Sequence, residues 1–151
     1  MGPSEVNPFG ITPELVAFIK REEGWVAKPY LCPAGYPTIG FGHRIPSMDH
    51  PPISAEIGEA LLKSDLRGAR DVAVAMSPNV LKEPERRTAA LTDFIFNLGS
   101  SRYRGSTLRR RVADGDWKDA GKEMRRWVYA AGRVMRALVR RRNVAARWIE
   151  E

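Results

Sequence analysis

Residues 23–43 read EGWVAKPYLCPAGYPTIGFGH and bring an acid, a thiol and a hydroxyl into one short segment. The acid is Glu23, the thiol is Cys32, which is the single cysteine of the chain, and the hydroxyl is Thr38. Proline and glycine between the last two predict a turn, and a three-residue loop over 34–36 places Cys32 opposite Thr38 in a hairpin. Direct cross-strand partners share one face of a sheet. We therefore expect the segment to present all three groups toward one space.

The segment lies between two predicted helices. Thr12 followed by Pro13 is a typical helix start, and a glycine after the last apolar turn predicts that this helix covers 13–23. Prolines and glycines over 25–53 favour short strands and turns. Apolar residues at spacings of three and four then predict one long helix over 54–77.

The remainder of the chain predicts shorter helices separated by glycines. One helix ends at Gly99, and a second runs from Ser106 to Gly115. A third begins at Asp116, carries Trp127 and is broken by Gly132, and a basic helix runs from about 134 to the end. We expect a single α+β domain with a small β-hairpin lobe joined by a long helix to a helical lobe. Its parts are an arm (1–11), an N-terminal lobe (12–53), a connecting helix (54–77) and a helical lobe with a basic C-terminus (78–151).

Composition indicates a soluble globular protein. Of the 151 residues, 43% are hydrophobic and 28% are charged, which suits one domain with a sizeable core. There is no apolar run long enough for a membrane span, and the N-terminus lacks the basic start and apolar stretch of a secretory signal. The lone Cys32 excludes an internal disulfide. We therefore expect the protein to fold in a cytoplasm.

The positive charge is concentrated in the C-terminal third. The net charge of +7 divides into −2 over residues 1–101 and +9 over residues 102–151. Such asymmetry favours an anionic partner, which could be a wall polymer, a membrane surface or nucleic acid. A cationic face that only keeps the protein soluble is the competing interpretation.

The opening segment resembles the catalytic signature of the phage-type lysozymes, glycoside hydrolase family 24. The signature reads E-G-x(5)-Y-x-[D/C]-x(2)-G-x(2)-T-I-G-x-G-H, and every fixed position is matched between Glu23 and His43. Later blocks resemble the family in the same order, and the likeness extends over roughly residues 12–149. These blocks are Phe96-Asn97-Leu98-Gly99, Ser106-Thr107-Leu108, Arg126-Trp127-Val128 and Leu138-Val139-Arg140-Arg141-Arg142.

The resemblance implies an endolysin that hydrolyses the β-1,4 bond between N-acetylmuramic acid and N-acetylglucosamine in peptidoglycan. By this likeness Glu23 is the general acid, Cys32 occupies the position where many members carry aspartate, and Thr38 positions a water on the opposite face. Such an arrangement suits inverting hydrolysis. Either Cys32 is partly ionised by nearby cations, or it only shapes the water site.

Three further residues are candidates for substrate binding. Asn97 matches a cleft-lining amide of the family, Trp127 offers a ring for stacking on a sugar, and Arg140 is our choice among three arginines for a pair with Glu23. The competing interpretations are a helix-end residue for Asn97 and a core side chain for Trp127. We expect His43 to be structural, and its spacing to His50 is not that of metal ligands, so no cofactor is implied.

Alternatives to hydrolysis remain at this level. A lytic transglycosylase also needs one acid, but forms an anhydro ring without water. A non-catalytic cationic protein that binds the wall or a membrane needs none, although the placement of Glu23 argues against it. Nucleic-acid binding has only charge in its favour.

The expected partners follow from the endolysin interpretation. They are peptidoglycan, a holin for release from the host cytoplasm to the periplasm, and, as a further hypothesis, anionic outer-membrane lipid. The lipid contact would use a basic helix over 134–150 with Arg133, Arg136, Arg140, Arg141, Arg142 and Arg147. Ordinary electrostatic attraction to the wall is the simpler alternative, and we expect a monomer.

Overall fold

The computed structural model describes residues 8–151, so positions 1–7 of the predicted arm lie outside the described residues. Helix α1 (Pro13–Glu23) has the predicted bounds. Thr12 caps its start, because its Oγ1 accepts a hydrogen bond from the backbone N–H of Leu15 at 3.0 Å. Gly24 ends it with a positive φ of 70°, a backbone conformation that costs glycine little. The acid Glu23 is therefore the last helical residue.

Three antiparallel strands follow, in the order β1 (Val26–Leu31), β2 (Pro37–Gly40) and β3 (His43–Arg44). The predicted pairing of Cys32 with Thr38 is wrong. Thr38 lies opposite Tyr30, and the N–H of Cys32 donates to the carbonyl of Tyr36 at 3.0 Å. The loop is therefore 33–35, with Gly35 at a φ of 87° in its last position, as a three-residue hairpin loop requires.

The predicted common face survives this correction. Tyr30 and Cys32 are two residues apart on one strand and so project to the same side. Thr38 shares that side as the direct partner of Tyr30. The actual partner of Cys32 is two positions away from the predicted one. A shift of two residues changes the partner but leaves the side chain on the same face of the sheet.

The connecting helix α2 (Ala55–Met76) confirms the predicted long helix. Ser54 caps it by accepting from the N–H of Ile57 at 3.2 Å. Leu62 and Leu66 on its first half contribute to one hydrophobic cluster, and Ala69 and Ala73 on its second half to another. A single helix thus joins the two clusters.

The helical lobe begins with a 3₁₀ turn over Pro78–Lys82. Four helices follow, which are α3 (Glu85–Leu98), α4 (Ser100–Arg104), α5 (Thr107–Ala113) and α6 (Trp117–Arg125). A short hairpin of β4 (Tyr129–Ala130) and β5 (Arg133–Val134) comes next, and the C-terminal helix is α7 (Arg136–Glu150).

The β4–β5 hairpin corrects the sequence prediction, which continued the third helix through Trp127 to Gly132. The helix ends at Arg125. Ala131 and Gly132 then form a two-residue turn with φ angles of 52° and 74°, the positive values that a tight hairpin needs at both positions.

Among residues 8–151, no helix combines the length and the apolar character that a membrane span requires.

Helix α1 packs against the helices rather than against the sheet alone. Its buried side chains Leu15 and Ile19 share a cluster with α2 and α3 residues. Phe18 meets Trp148 of α7 edge-on, with ring centroids 5.4 Å apart. The helix that our sequence analysis groups with the N-terminal lobe is therefore anchored in the body formed by the other helices.

Candidate active site

A cleft of about 1130 Å³ lies between the sheet and the helical lobe. Its walls come from the end of α1, strands β1 and β2, the middle of α2 and the junction of α3 and α4. The polar side chains in its lining include Glu23, Tyr30, Cys32, Thr38, Asp65 and Asn97. The three catalytic candidates and the amide candidate are thus brought together in one cleft.

Glu23 is held at the cleft by a close backbone contact and one ion pair. Its side chain is 23% exposed, and its Oε1 accepts from Nη1 of Arg141 at 3.3 Å. A Cβ added to Gly42 would come within 2.9 Å of Glu23 Oε2. The turn between β2 and β3 therefore needs glycine both for its φ of 77° and for the room it leaves to the acid.

The arginine beside Glu23 is Arg141, and the prediction of Arg140 is wrong. Arg140 is exposed, whereas Arg141 is buried and also donates through Nε and Nη2 to Oδ1 of Asp93 at 3.1 and 2.8 Å. Burial opposes the charge of Arg141, but the carboxylates of Asp93 and Glu23 outweigh it, so the pKa of Arg141 is raised. The guanidinium is a permanent cation that joins α1, α3 and α7.

Cys32 and Thr38 form the opposite side of the cleft from the helical wall. Thr38 is buried and donates its hydroxyl proton to the carbonyl of Tyr36 at 2.8 Å, which leaves its oxygen as an acceptor. The half-buried Cys32 has a lowered pKa, for which a backbone hydrogen bond from Tyr36 is the largest cause. Burial opposes this lowering, while the backbone of Ala34 and the charge of Arg44 add to it.

Tyr30 is a cleft residue that we did not predict as functional. Burial raises the pKa of its hydroxyl, and the charges of Glu23 and Cys32 raise it further. The hydroxyl therefore stays protonated and can donate a hydrogen bond near the two candidate catalytic groups. Its match to the fixed tyrosine of the family signature was the signal that could have identified it.

Asn97 lines the cleft at the end of α3. Its Oδ1 accepts from Nη2 of Arg142, which also donates through Nε to the carbonyl of Trp127 at 3.0 Å. Because an arginine only donates, this contact assigns the oxygen of the amide to Arg142 and leaves the NH₂ group as a donor. Burial lowers the pKa of Arg142 to about 10, with Asp93 opposing the shift and Arg141 adding to it.

Trp127 lies outside the lining of the cleft, which argues against the predicted sugar-stacking role. Its ring packs at 90° against Phe94, with centroids 5.2 Å apart, at the edge of the helical core. The competing interpretation of a core side chain is the one the structure supports.

His43 connects the sheet to the long helix. Its Nδ1 lies 2.8 Å from Oδ2 of Asp65 on α2. Within residues 8–151 no cluster of histidine, cysteine and acidic side chains has the arrangement of a metal site.

The sequence matches a family model described as phage lysozyme over residues 20–145. The chain belongs to the phage lysozyme family. This family member is 36% identical over 127 residues to a SAR-endolysin of Bacteriophage PS119, which covers 81% of this chain and 72% of that protein.

Solved structures give the same assignment. The muramidase domain of SpmX from Asticaccaulis excentricus has a TM-score of 0.80 and 27% identity, covering 93% of this chain and 97% of that one. A mutant of P22 lysozyme has a TM-score of 0.76 and 28% identity over the same shares of the two chains. The α+β fold is thereby confirmed, and the enzyme is a phage endolysin, a glycoside hydrolase that lyses peptidoglycan.

Proposed function

We propose that this family member hydrolyses the β-1,4 bond between N-acetylmuramic acid and N-acetylglucosamine with Glu23 as the general acid. The observation that carries the proposal is the placement of Glu23 in the same cleft as Cys32 and Thr38. An acid from a helix end and a thiol and hydroxyl from a hairpin thus border one space. A protonated Glu23 would donate to the glycosidic oxygen as the bond breaks.

Thr38 and Cys32 supply the water side in this proposal. With its proton donated to Tyr36, the Thr38 oxygen accepts a hydrogen bond from a water and turns one of the water's lone pairs outward. A Cys32 thiolate, which its lowered pKa favours, is positioned to receive a proton from that water. Attack from the face opposite the acid inverts the anomeric centre.

Asn97 is the substrate-binding residue that we retain. Its NH₂ group is free to donate to the carbonyl of an N-acetyl substituent, since Arg142 occupies its oxygen. A half-buried, oriented donor of this kind selects sugars that carry the acetamido group over those that lack it.

The decisive experiment digests purified peptidoglycan, free of outer membrane, with wild type and Glu23→Gln, and identifies the released muropeptides by mass spectrometry. We expect reducing N-acetylmuramic ends from wild type and none from the variant. Anhydro ends, lighter by one water, would instead establish a lytic transglycosylase. Release by both proteins would remove Glu23 from the acid role, and release by neither would leave a cationic binding protein.

The exposed arginines suit attraction to an anionic polymer better than insertion into a bilayer. Of the six arginines assigned to a lipid contact, Arg141 and Arg142 are buried, and the apolar side of α7 is packed into the core through Ala145, Ala146 and Ile149. Arg133, Arg136, Arg140 and Arg147 remain exposed. We propose that these four draw a monomeric enzyme to the carboxylates of the wall, after a holin has released it to the periplasm.

A further inference from the structure

We propose that Asp93 is a positioning residue for the hydrolysis: it holds Arg141 against Glu23 and offsets the charge that Arg141 brings to the acid. The inference rests on the proposed role of Glu23 as the general acid. Asp93 belongs to no motif that our sequence analysis identified.

Arg141 bonds more strongly to Asp93 than to Glu23. Arg141 makes two hydrogen bonds to Asp93 Oδ1, at 2.8 and 3.1 Å, but a single one of 3.3 Å to Glu23. The Asp93 side chain is fully buried, whereas that of Glu23 is 23% exposed. The dry, shorter, two-donor pair is the stronger one.

A cation beside a general acid creates a chemical conflict. An arginine alone would stabilise the carboxylate form of Glu23 and so remove the proton that the reaction needs. A second carboxylate on the same guanidinium cancels much of that charge. Because the cancelling group is Asp93 rather than solvent, Arg141 retains its hold on Glu23 without acting as a full positive charge.

The same carboxylate faces the arginine that orients Asn97. Asp93 Oδ2 lies 3.8 Å from Nη1 of Arg142, and neither atom has a hydrogen-bond partner in the structure. Two buried polar atoms of opposite charge thus lie close together without a bond. Asp93 is the negative centre between the arginine that holds the acid and the arginine that holds the amide.

Other charged groups near Glu23 stay constant in the test below. On α1 these are Lys20, Arg21 and Glu22, and around the cleft they are Tyr30, Cys32, His43, Arg44 and Asp65. Arg142 on α7 also faces Asp93, so a change in the pH dependence that follows substitution of Asp93 reports the balance between Asp93 and these two arginines.

The first test measures kcat/KM against pH on purified peptidoglycan for wild type and Asp93→Asn. Asparagine keeps the size and an acceptor oxygen but removes the charge, so Arg141 becomes an unbalanced cation beside Glu23. Glu23 then loses its proton at lower pH, and we expect the alkaline limb of the profile to move down by about one pH unit. A limb at the wild-type position would overturn the inference.

A second variant covers the case in which Asp93→Asn does not fold, because an unpaired buried cation is strongly destabilising. The double change Asp93→Leu with Arg141→Met removes both charges of the stronger pair, while Arg142 keeps its hydrogen bonds to Asn97 and to the Trp127 carbonyl. Apolar replacement of a buried ion pair is often neutral for stability. We expect the alkaline limb of its pH profile to stay within about 0.3 unit of wild type, because one negative and one positive charge are removed together. We also expect kcat to fall about tenfold or more because Glu23 is no longer held.

The double variant can also contradict the inference. An alkaline limb raised by about one unit would mean that Arg141 had acted on Glu23 as an unbalanced cation. An unchanged kcat would mean that the pair does not position the acid.

Two controls separate the possible failures. Thr92→Val changes a buried neighbour on α3 that bonds only to the carbonyl of Thr88, and should leave the pH profile and kcat unchanged after correction for the folded fraction. Glu23→Gln should be inactive at every pH. If that variant digests peptidoglycan, the proposed function fails, whereas an inactive Glu23→Gln beside an unshifted Asp93→Asn defeats only the role of Asp93.

Discussion

Cys32 carries the chemistry that distinguishes this site at the scale of single residues. A neutral thiol is a poor base, but the contacts of Cys32 with the hairpin backbone and the charge of Arg44 favour its thiolate. The hairpin loop thus supplies part of the ionisation that an aspartate would bring by itself. Whether this matters for the reaction can be tested in two ways.

The first test measures the ionisation of Cys32 directly. The rate of alkylation by iodoacetamide should rise with pH around a midpoint below the ordinary thiol value of 9.0, because the pKa of Cys32 is lowered. Arg44→Met should raise the midpoint, since it removes one stabilising charge. Arg67→Met, which changes an exposed arginine of α2, should not. A wild-type midpoint at or above the ordinary value would contradict the environment described for the thiol.

The second test asks whether the thiol acts in the reaction. We expect Cys32→Ala to lower kcat by about 10²-fold, the usual share of one general base, and Cys32→Asp to restore the rate because a carboxylate is ionised at neutral pH. Rates are measured on purified peptidoglycan with the folded fraction checked by circular dichroism. A wild-type rate for Cys32→Ala would mean that the thiol only occupies space beside the water site and does not act as a base.

At the scale of elements, two turns of the sheet place the catalytic groups. The β1–β2 loop sets which residues oppose each other, and the β2–β3 turn passes close to Glu23 through Gly42. Both turns depend on a glycine with positive φ, at Gly35 and at Gly42. They differ in what surrounds the glycine, which provides a matched pair of substitutions.

Gly42→Ala should abolish most activity, whereas Gly35→Ala should not. Both changes strain a backbone of similar φ, 77° and 87°, but an added Cβ meets Glu23 at position 42 and meets nothing within 4 Å at position 35. We expect both variants to lose about 1 kcal/mol of stability or somewhat more, measured by urea unfolding. Only Gly42→Ala should lose about 10²-fold in kcat, through displacement of the acid. Equal losses of kcat in the two variants would assign the effect to the strain alone.

The elements show what local sequence signals can and cannot establish. Caps at Thr12 and Ser54 and the glycine at position 24 are short-range signals, and the helices they bound were predicted correctly. The loop register was missed because Gly35 was not assigned to the last loop position, where its positive φ belongs. The β4–β5 hairpin was missed because its strands are only two residues long, too short for a periodicity to appear.

At the scale of the whole molecule, buried charge joins parts of the chain that are far apart in sequence. Glu23, Asp93 and Arg141 come from three helices and meet at one guanidinium. The buried stripe of α7, which includes Ala145 and Ile149, extends back by one turn to Arg141 and not to Arg140. Helical periodicity could therefore have selected the correct arginine, but no local pattern places Asp93 beside it.

The role of the exposed positive charge is tested by removing it from two different parts of the surface. Replacing Arg133, Arg136, Arg140 and Arg147 with glutamine should weaken binding to peptidoglycan at low salt by roughly tenfold, and the difference should shrink as salt is added. The control removes the same number of charges elsewhere, at the exposed Arg67, Arg86, Arg102 and Lys118. Binding is measured by co-sedimentation. Equal weakening in both variants would mean that net charge, and not this surface, governs attraction to the wall.

The attachment of α1 to the helices has a geometric consequence for catalysis. Glu23 is tied to α7 through Arg141, and α1 is tied to it through the packing of Phe18 on Trp148, while Cys32 and Thr38 lie on the sheet. The proton donor and the water site are therefore carried by different elements, and their separation is set by how the sheet packs against the helices. Activity thus depends on packing side chains that touch neither the glycan nor the water.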